Sequence, residues 1–172
     1  MADETFVGKG FAKVFVKGNM DHVEEYQTNG ADLKPGHVVT EQGETANTRD
    51  VDLASASQFP TGVVMKGTNG YVPSTGIDRN LDTALEDNEA VDVAPRGSGM
   101  TVYVHYQTSG ATIKKGYPLI VGSEAGKVAP LGAYGNGTEA VDYPVYIVGK
   151  AAQDITQDLS NDQIVKMILN VD

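Results

Sequence analysis

The sequence predicts an all-β protein, a small β-barrel or β-sandwich built from two related lobes with one or two short helices. Three observations carry that expectation. An eleven-residue pattern occurs twice, as Tyr26-Gln-Thr-Asn-Gly-Ala-Asp-Leu-Lys-Pro-Gly36 and as Tyr106-Gln-Thr-Ser-Gly-Ala-Thr-Ile-Lys-Lys-Gly116, 80 residues apart (106 − 26). Phe11–Lys17 and Met100–Tyr106 are β-branched and aromatic with near alternation, the period of a strand with one buried face. The chain also holds 20 Gly and 7 Pro, so turns interrupt it often. A period near 80 is too long for the common solenoids, and two copies are too few for one, so a duplicated β unit is the better reading.

Residues 1–10 read as a polar N-terminal arm, 11–95 as the first lobe and 96–172 as the second. Gly8-Lys9-Gly10 is a flexible joint before the first strand, Phe11–Lys17. Asn29-Gly30 and Ser109-Gly110 mark tight reversals, because Gly supplies the positive φ they require. The second Gly of each copy, Gly36 or Gly116, precedes an apolar segment, His37-Val38-Val39 or Tyr117–Val121. Glu41–Ser57 is polar and uneven and reads as a long loop, with Gly132–Glu139 as its counterpart. Phe59–Gly67 parallels Tyr143–Ala151 at an offset of 84 (143 − 59), and Val63-Val64-Met65 and Val145–Val148 read as buried strands. Ile77, Leu81 and Leu85 at four-residue spacing predict a short helix over Asp78–Glu86. Leu85–Val91 then resembles Leu159–Val165 at an offset of 74 (159 − 85), and Ile164–Val171 closes the chain as a strand.

The chain has 172 residues, 13 Lys+Arg, 23 Asp+Glu and a net charge of −10, with 40% apolar residues. It is long enough to bury a genuine core. Without Cys it offers no disulfide, zinc-thiolate site or cysteine nucleophile. An acidic chain with scattered cations should repel phosphate backbones, so nucleic acid is not expected as a partner. No apolar run approaches a membrane span, and the acidic start Met1-Ala-Asp-Glu-Thr5 does not read as a secretory leader.

Catalytic chemistry is not expected, and neither is a cofactor. No G-x-S-x-G elbow surrounds a Ser, and none of His22, His37 and His105 sits in a recognisable triad spacing. His105 shares a strand face with Thr101 and Tyr103, opposite Val102, Val104 and Tyr106, which suits a packed or solvated side chain. Arg96-Gly-Ser-Gly99 lacks the Walker spacing of a phosphate loop. A weak calcium pattern runs through Asp78, Asn80, Asp82, Glu86 and Glu89, but Thr83 stands where the loop needs Gly, and a solvated acidic face explains the same residues. Tyr134, Tyr143 and Tyr146 cluster in the second copy and suit either core packing or stacking on a sugar.

The segments Tyr106–Val121, Val145–Ala152 and Ile164–Val171 together resemble capsid decoration (cement) proteins of tailed double-stranded DNA viruses. The resemblance covers the second copy well and the first loosely. It implies a structural, non-enzymatic protein on the outer capsid surface, made in the host cytoplasm, with the major capsid protein and its own copies as partners, commonly as a homotrimer. It also implies an N-terminal arm reaching a neighbour, for which Thr5, Phe6, Val7 and Phe11 are the contact candidates and Phe6 the apolar anchor. A carbohydrate- or receptor-binding β module is the alternative from another class.

Overall fold

The computed structural model describes residues 14–29, 32–45, 48–67, 74, 82–107, 112–132, 146–156 and 163–170. Among the described residues eleven strands follow one another: β1 (Phe15–Lys17), β2 (Glu24–Thr28), β3 (Val38–Thr45), β4 (Thr48–Leu53), β5 (Gly62–Gly67), β6 (Ala90–Pro95), β7 (Thr101–Tyr106), β8 (Pro118–Val121), β9 (Val128–Pro130), β10 (Ile147–Ala151) and β11 (Gln163–Ile168). Among the described residues the only helical element is a 3-10 turn at Met20–His22. The helix expected over Asp78–Glu86 is not formed in its described part. Asp82–Glu86 is turn and irregular backbone, and Leu85 N bonds to Leu33 O (2.7 Å), which pins the segment across the barrel end.

The strands close two barrels of five. The first runs β2-β4-β3-β5-β6 and back to β2. The second is a sheet in the order β1-β7-β11-β10-β8-β9, closed by a parallel step from Tyr106 of β7 to Val128 of β9. Each pairing in one barrel has its counterpart in the other: parallel β2–β4 and β7–β9, and antiparallel β2–β6, β3–β4, β3–β5 and β5–β6 against β7–β11, β8–β9, β8–β10 and β10–β11. The predicted duplication is thus a duplication of topology. The residues expected to head the first lobe contribute β1, which pairs with β7 in the second barrel.

Strand register fixes which residues correspond. Gly36 (φ 89°) and Gly116 (φ 86°) hold the same left-handed turn, whose N–H groups bond to Val64 O and Ala151 O, both at 2.8 Å. His37 N and Tyr117 N close it on Lys34 O and Lys114 O, both at 3.0 Å. Here the 80-residue offset is the structural one. On β5 and β10 the register couples Val64 with Ala151 and Gly62 with Gly149, an offset of 87 (151 − 64) in place of 84. A Cβ built on either glycine would strike a carbonyl of the next strand, Ala94 O at 2.2 Å or Ile168 O at 2.3 Å. On β2 and β7, Thr28 and Tyr106 occupy equivalent rungs, opposite Val51 and Val128, an offset of 78 (106 − 28). The repeated Tyr-Gln-Thr triplet has slid by two residues, which keeps each side chain on its own face of the sheet. On β6 and β11 the offset of 74 stands.

The long loop expected over Glu41–Ser57 is mostly the β3–β4 hairpin, paired from Val39–Leu53 to Thr45–Thr48 with a bulge between Glu41 and Gly43. Its inward positions include Glu41 and Arg49, so the alternation that marks a strand is masked. Two apolar clusters fill the molecule. Tyr26, Leu33, Val39, Val51, Val64, Leu85, Val91 and Val93 occupy the first barrel. The second cluster runs through the other barrel and continues onto the outer face of the first at Val38, Ala54, Val63, Met65 and Ala94. Val63-Val64-Met65 is apolar without alternation because both of its faces are buried.

Candidate functional site

The junction between the barrels joins unlike surfaces. On the first barrel, the turn at Lys34–His37 and the outer face of β3, β5 and β6 are covered. On the second, β7 and the turn at Gly126 do the covering. Val38 N donates to Gly126 O (2.8 Å) and Gly126 N to Ala54 O (2.9 Å). Gly126 holds φ 77° at this contact, a conformation that favours glycine, with the Leu53 and His37 side chains against it. His105 N donates to Gly36 O (3.1 Å), and its ring meets that of His37 edge-on with centroids 4.4 Å apart. His105 Nε2 lies 3.1 Å from Pro35 O, an acceptor only, so this nitrogen carries the hydrogen. His37 Nδ1 in turn accepts from Lys34 N (3.1 Å). Both histidines are buried, as the packed reading of His105 expects.

A polar network lies at one end of the first barrel. Glu24 and Tyr26 on β2, Glu41 on β3 and Arg49 on β4 all point inward, above the apolar filling. Arg49 donates from Nη1 to Glu24 Oε2 (2.8 Å) and from Nη2 to Glu41 Oε2 (3.1 Å) and the Tyr26 hydroxyl (2.5 Å), while Tyr26 donates to Glu24 Oε2 (2.9 Å). The guanidinium lies over the Tyr26 ring, 4.3 Å from its centroid. Hydrogen bonds from Tyr26 and Arg49 hold the Glu24 carboxyl below its usual range. Burial, and then Glu24 itself, push the Tyr26 hydroxyl up, and the two carboxylates push Arg49 further up. Glu24, Tyr26, Glu41 and Arg49 line a groove of about 360 Å³ with Thr40, Phe59, Thr61 and Pro95. Phe59 is 54% exposed, carries Arg96 over its ring at 4.8 Å and meets Tyr146 of the second barrel edge-on at 5.3 Å.

The second barrel presents an open face. Its residues Tyr117, Pro118, Leu131, Lys150, Ala152 and Ile168 correspond through the strand registers to His37, Val38, Ala54, Val63, Met65 and Ala94. All six on the first barrel are buried at the junction, and none of their six counterparts is. Tyr117 and Leu131 are 42% and 38% exposed, and the Tyr117 hydroxyl donates to Leu131 O (3.0 Å). Lys114 beside them pairs with Asp154 at 2.8 Å.

The arm candidates Thr5, Phe6, Val7 and Phe11 lie outside the described residues, as do Asp78, Asn80, Tyr134 and Tyr143. Of the calcium pattern, Asp82 is exposed, while Glu89 is buried and accepts a bond from Glu86 N (2.9 Å). Among the described residues no group of three acidic or histidine side chains is placed to hold a metal. Sequence reading missed the Glu24–Tyr26–Glu41–Arg49 network, since its members come from three strands and follow no spacing rule.

No family model and no curated protein matches this chain. Among solved structures it is similar to the N base of head fiber gp8.5 in bacteriophage phi29, with a TM-score of 0.46 and 14% sequence identity over 85% of this chain and 91% of that one.

Proposed function

We propose that the chain is a structural virion protein without enzymatic activity. It binds the outer surface of an icosahedral capsid as a homotrimer and stabilises the lattice of the major capsid protein. The observation that carries this reading is where the three resembling segments fall. Tyr106–Val121, Val145–Ala152 and Ile164–Val171 supply or border β7, β8, β10 and β11, which are neighbours in one barrel in the order β7-β11-β10-β8. Segments that are scattered in the sequence therefore make one continuous module. Cementing is an association problem, and several modest contacts made together give tight binding without any single strong site. The test is to add purified protein to capsids that lack it and follow co-sedimentation and thermal disruption. Binding with a raised disruption temperature is expected; unbound protein and unchanged capsids would refute the reading.

The groove of the first barrel favours a second reading, a carbohydrate-binding module. The exposed Phe59 ring offers a stacking platform, and Glu24 Oε1 lies outside the hydrogen bonds that hold Arg49, ready to accept from a sugar hydroxyl. A printed array of defined neutral oligosaccharides tests it: selective binding lost in Phe59→Ala supports the module, and a blank array removes it.

A further inference from the structure

We propose that copies of this chain join head to tail, with the open face of the second barrel seated against the outer face of β2 on the first barrel of the next copy. The inference rests on the trimer reading above and names the surface through which copies meet. Its first ground is the asymmetry of the junction inside the chain. Two barrels of one topology meet through unlike faces, so among the described residues each leaves the complementary face unused: the first barrel the counterpart of what the second contributes, and the second the counterpart of what the first contributes. Contacts of this heterologous kind repeat from subunit to subunit and close a ring where the rotation allows.

The second ground is the make-up of the two remaining faces. On the second barrel, Tyr117, Pro118, Leu131, Ala152 and Ile168 form a partly exposed apolar area. Tyr117 and Leu131 are two of the four large apolar side chains exposed among the described residues. The adjacent Lys115 adds positive charge at its edge, beside the Lys114–Asp154 ion pair. On the first barrel, the counterparts of Tyr103 and His105 are Glu25 and Gln27. Glu25 lies opposite Asp92 on β6, and Gln27 opposite Asp50 on β4, so the outer face there is acidic. Apolar and basic on one side, acidic and polar on the other, the two faces are complementary in charge.

The contact between copies is built differently from the one within a copy. Pro118 stands where Val38 donates its N–H, and Pro has no N–H to give. The Val38–Gly126 bond of the internal junction therefore cannot recur, and side chains carry more of the outer contact. Such an interface forms and dissociates with concentration, while the internal junction stays closed.

The experiment is light scattering and sedimentation velocity on the full chain over a range of concentrations, with capsid binding measured separately. The wild type is expected to assemble as concentration rises. Leu131→Asp and Lys115→Glu should each weaken assembly about tenfold or more with an unchanged melting temperature, since both residues are exposed. Glu25→Lys placed in the Lys115→Glu background should restore it. A chain that stays monomeric at all concentrations, oligomers unaffected by Leu131→Asp, or a double charge reversal as weak as either single change would overturn the proposal. Monomers that still bind and stabilise capsids would overturn it while leaving the cement reading intact. Oligomers that obey the variants but ignore capsids would do the reverse.

Discussion

Strand register sets Glu24, Tyr26, Glu41 and Arg49 of the first barrel against Val102, Val104, Val121 and Gly126 of the second. The strand frame is the same at the first three places, while Gly126 sits in the turn before β9; yet one set is an ion network facing a groove and the other is apolar or absent. Val102 and Val104 are fully buried and Val121 nearly so. The difference follows from what each barrel end meets. In the second barrel the Gly126 turn packs on the first barrel, and Val102 and Val104 lie in a dry cluster with Val14, Met100 and Leu169, so charge there would go unsolvated. The end of the first barrel meets solvent, with Arg49 and Glu24 side chains 43% and 44% exposed, where charged groups keep most of their hydration. One topology thus accepts two chemistries, and neighbouring matter chooses between them.

Exchanging residues between equivalent places should expose that difference most strongly. Val102→Glu buries a carboxylate with no cation opposite and is expected to cost about 3–5 kcal/mol in denaturant unfolding. The mirror change, Glu24→Val, should stay within about 1 kcal/mol. Equal costs would mean that the two ends are not distinguished by solvent access. Next in size, Gly62→Ala and Gly149→Ala drive a methyl group into a carbonyl on the neighbouring strand, and each should lose about 3 kcal/mol. Similar losses at both would sharpen the 87-residue correspondence, whereas a harmless change at either would break it.

Arg49→Met leaves Glu24 and Glu41 facing one another without their cation. A loss of about 1 kcal/mol is expected at neutral pH, smaller in high salt because the groups are partly exposed. The smallest effect is in pH dependence. The folded protein holds the Glu24 carboxyl below its ordinary value of 4.5, so its contribution is complete above that pH and fades as pH falls through the folded value. Glu24→Gln should therefore lower stability slightly at pH 7, by under about 1 kcal/mol, and flatten the acid limb of the stability curve. Urea midpoints measured from pH 7 downward would show the two curves converging, and parallel curves would remove Glu24 from the account.

These contrasts also explain what could be read in the sequence. The all-β class, the duplication and the Lys-x-Gly turn were legible because turns depend on local chemistry, and Gly36 and Gly116 are needed for the same positive φ. Strand correspondences were less legible. Matching identities set Tyr26 on Tyr106, but hydrogen bonding sets Thr28 there, because the second copy carries two more residues between β7 and its glycine turn. A shift of two preserves the inward face, so hydrophobic pattern alone cannot detect it. The Glu41–Arg49 hairpin was hidden for the opposite reason: its inward residues are charged, and only the fold brings Glu24 within reach. The open face of the second barrel was equally hidden, since Tyr117 and Leu131 read as ordinary strand residues until their buried counterparts are known.

β1 has a mechanical consequence. It enters the structure on β7, with Val14 buried and its carbonyl accepting from Tyr103 N at 2.7 Å, and only afterwards does the chain build the first barrel. Tension on the N-terminal segment would thus be borne first by the β1–β7 pairing, and would reach β2 of the first barrel only once β1 is stripped. A molecule tethered by that segment could lose grip at β1, a strand of three residues, while its groove-bearing barrel stayed intact.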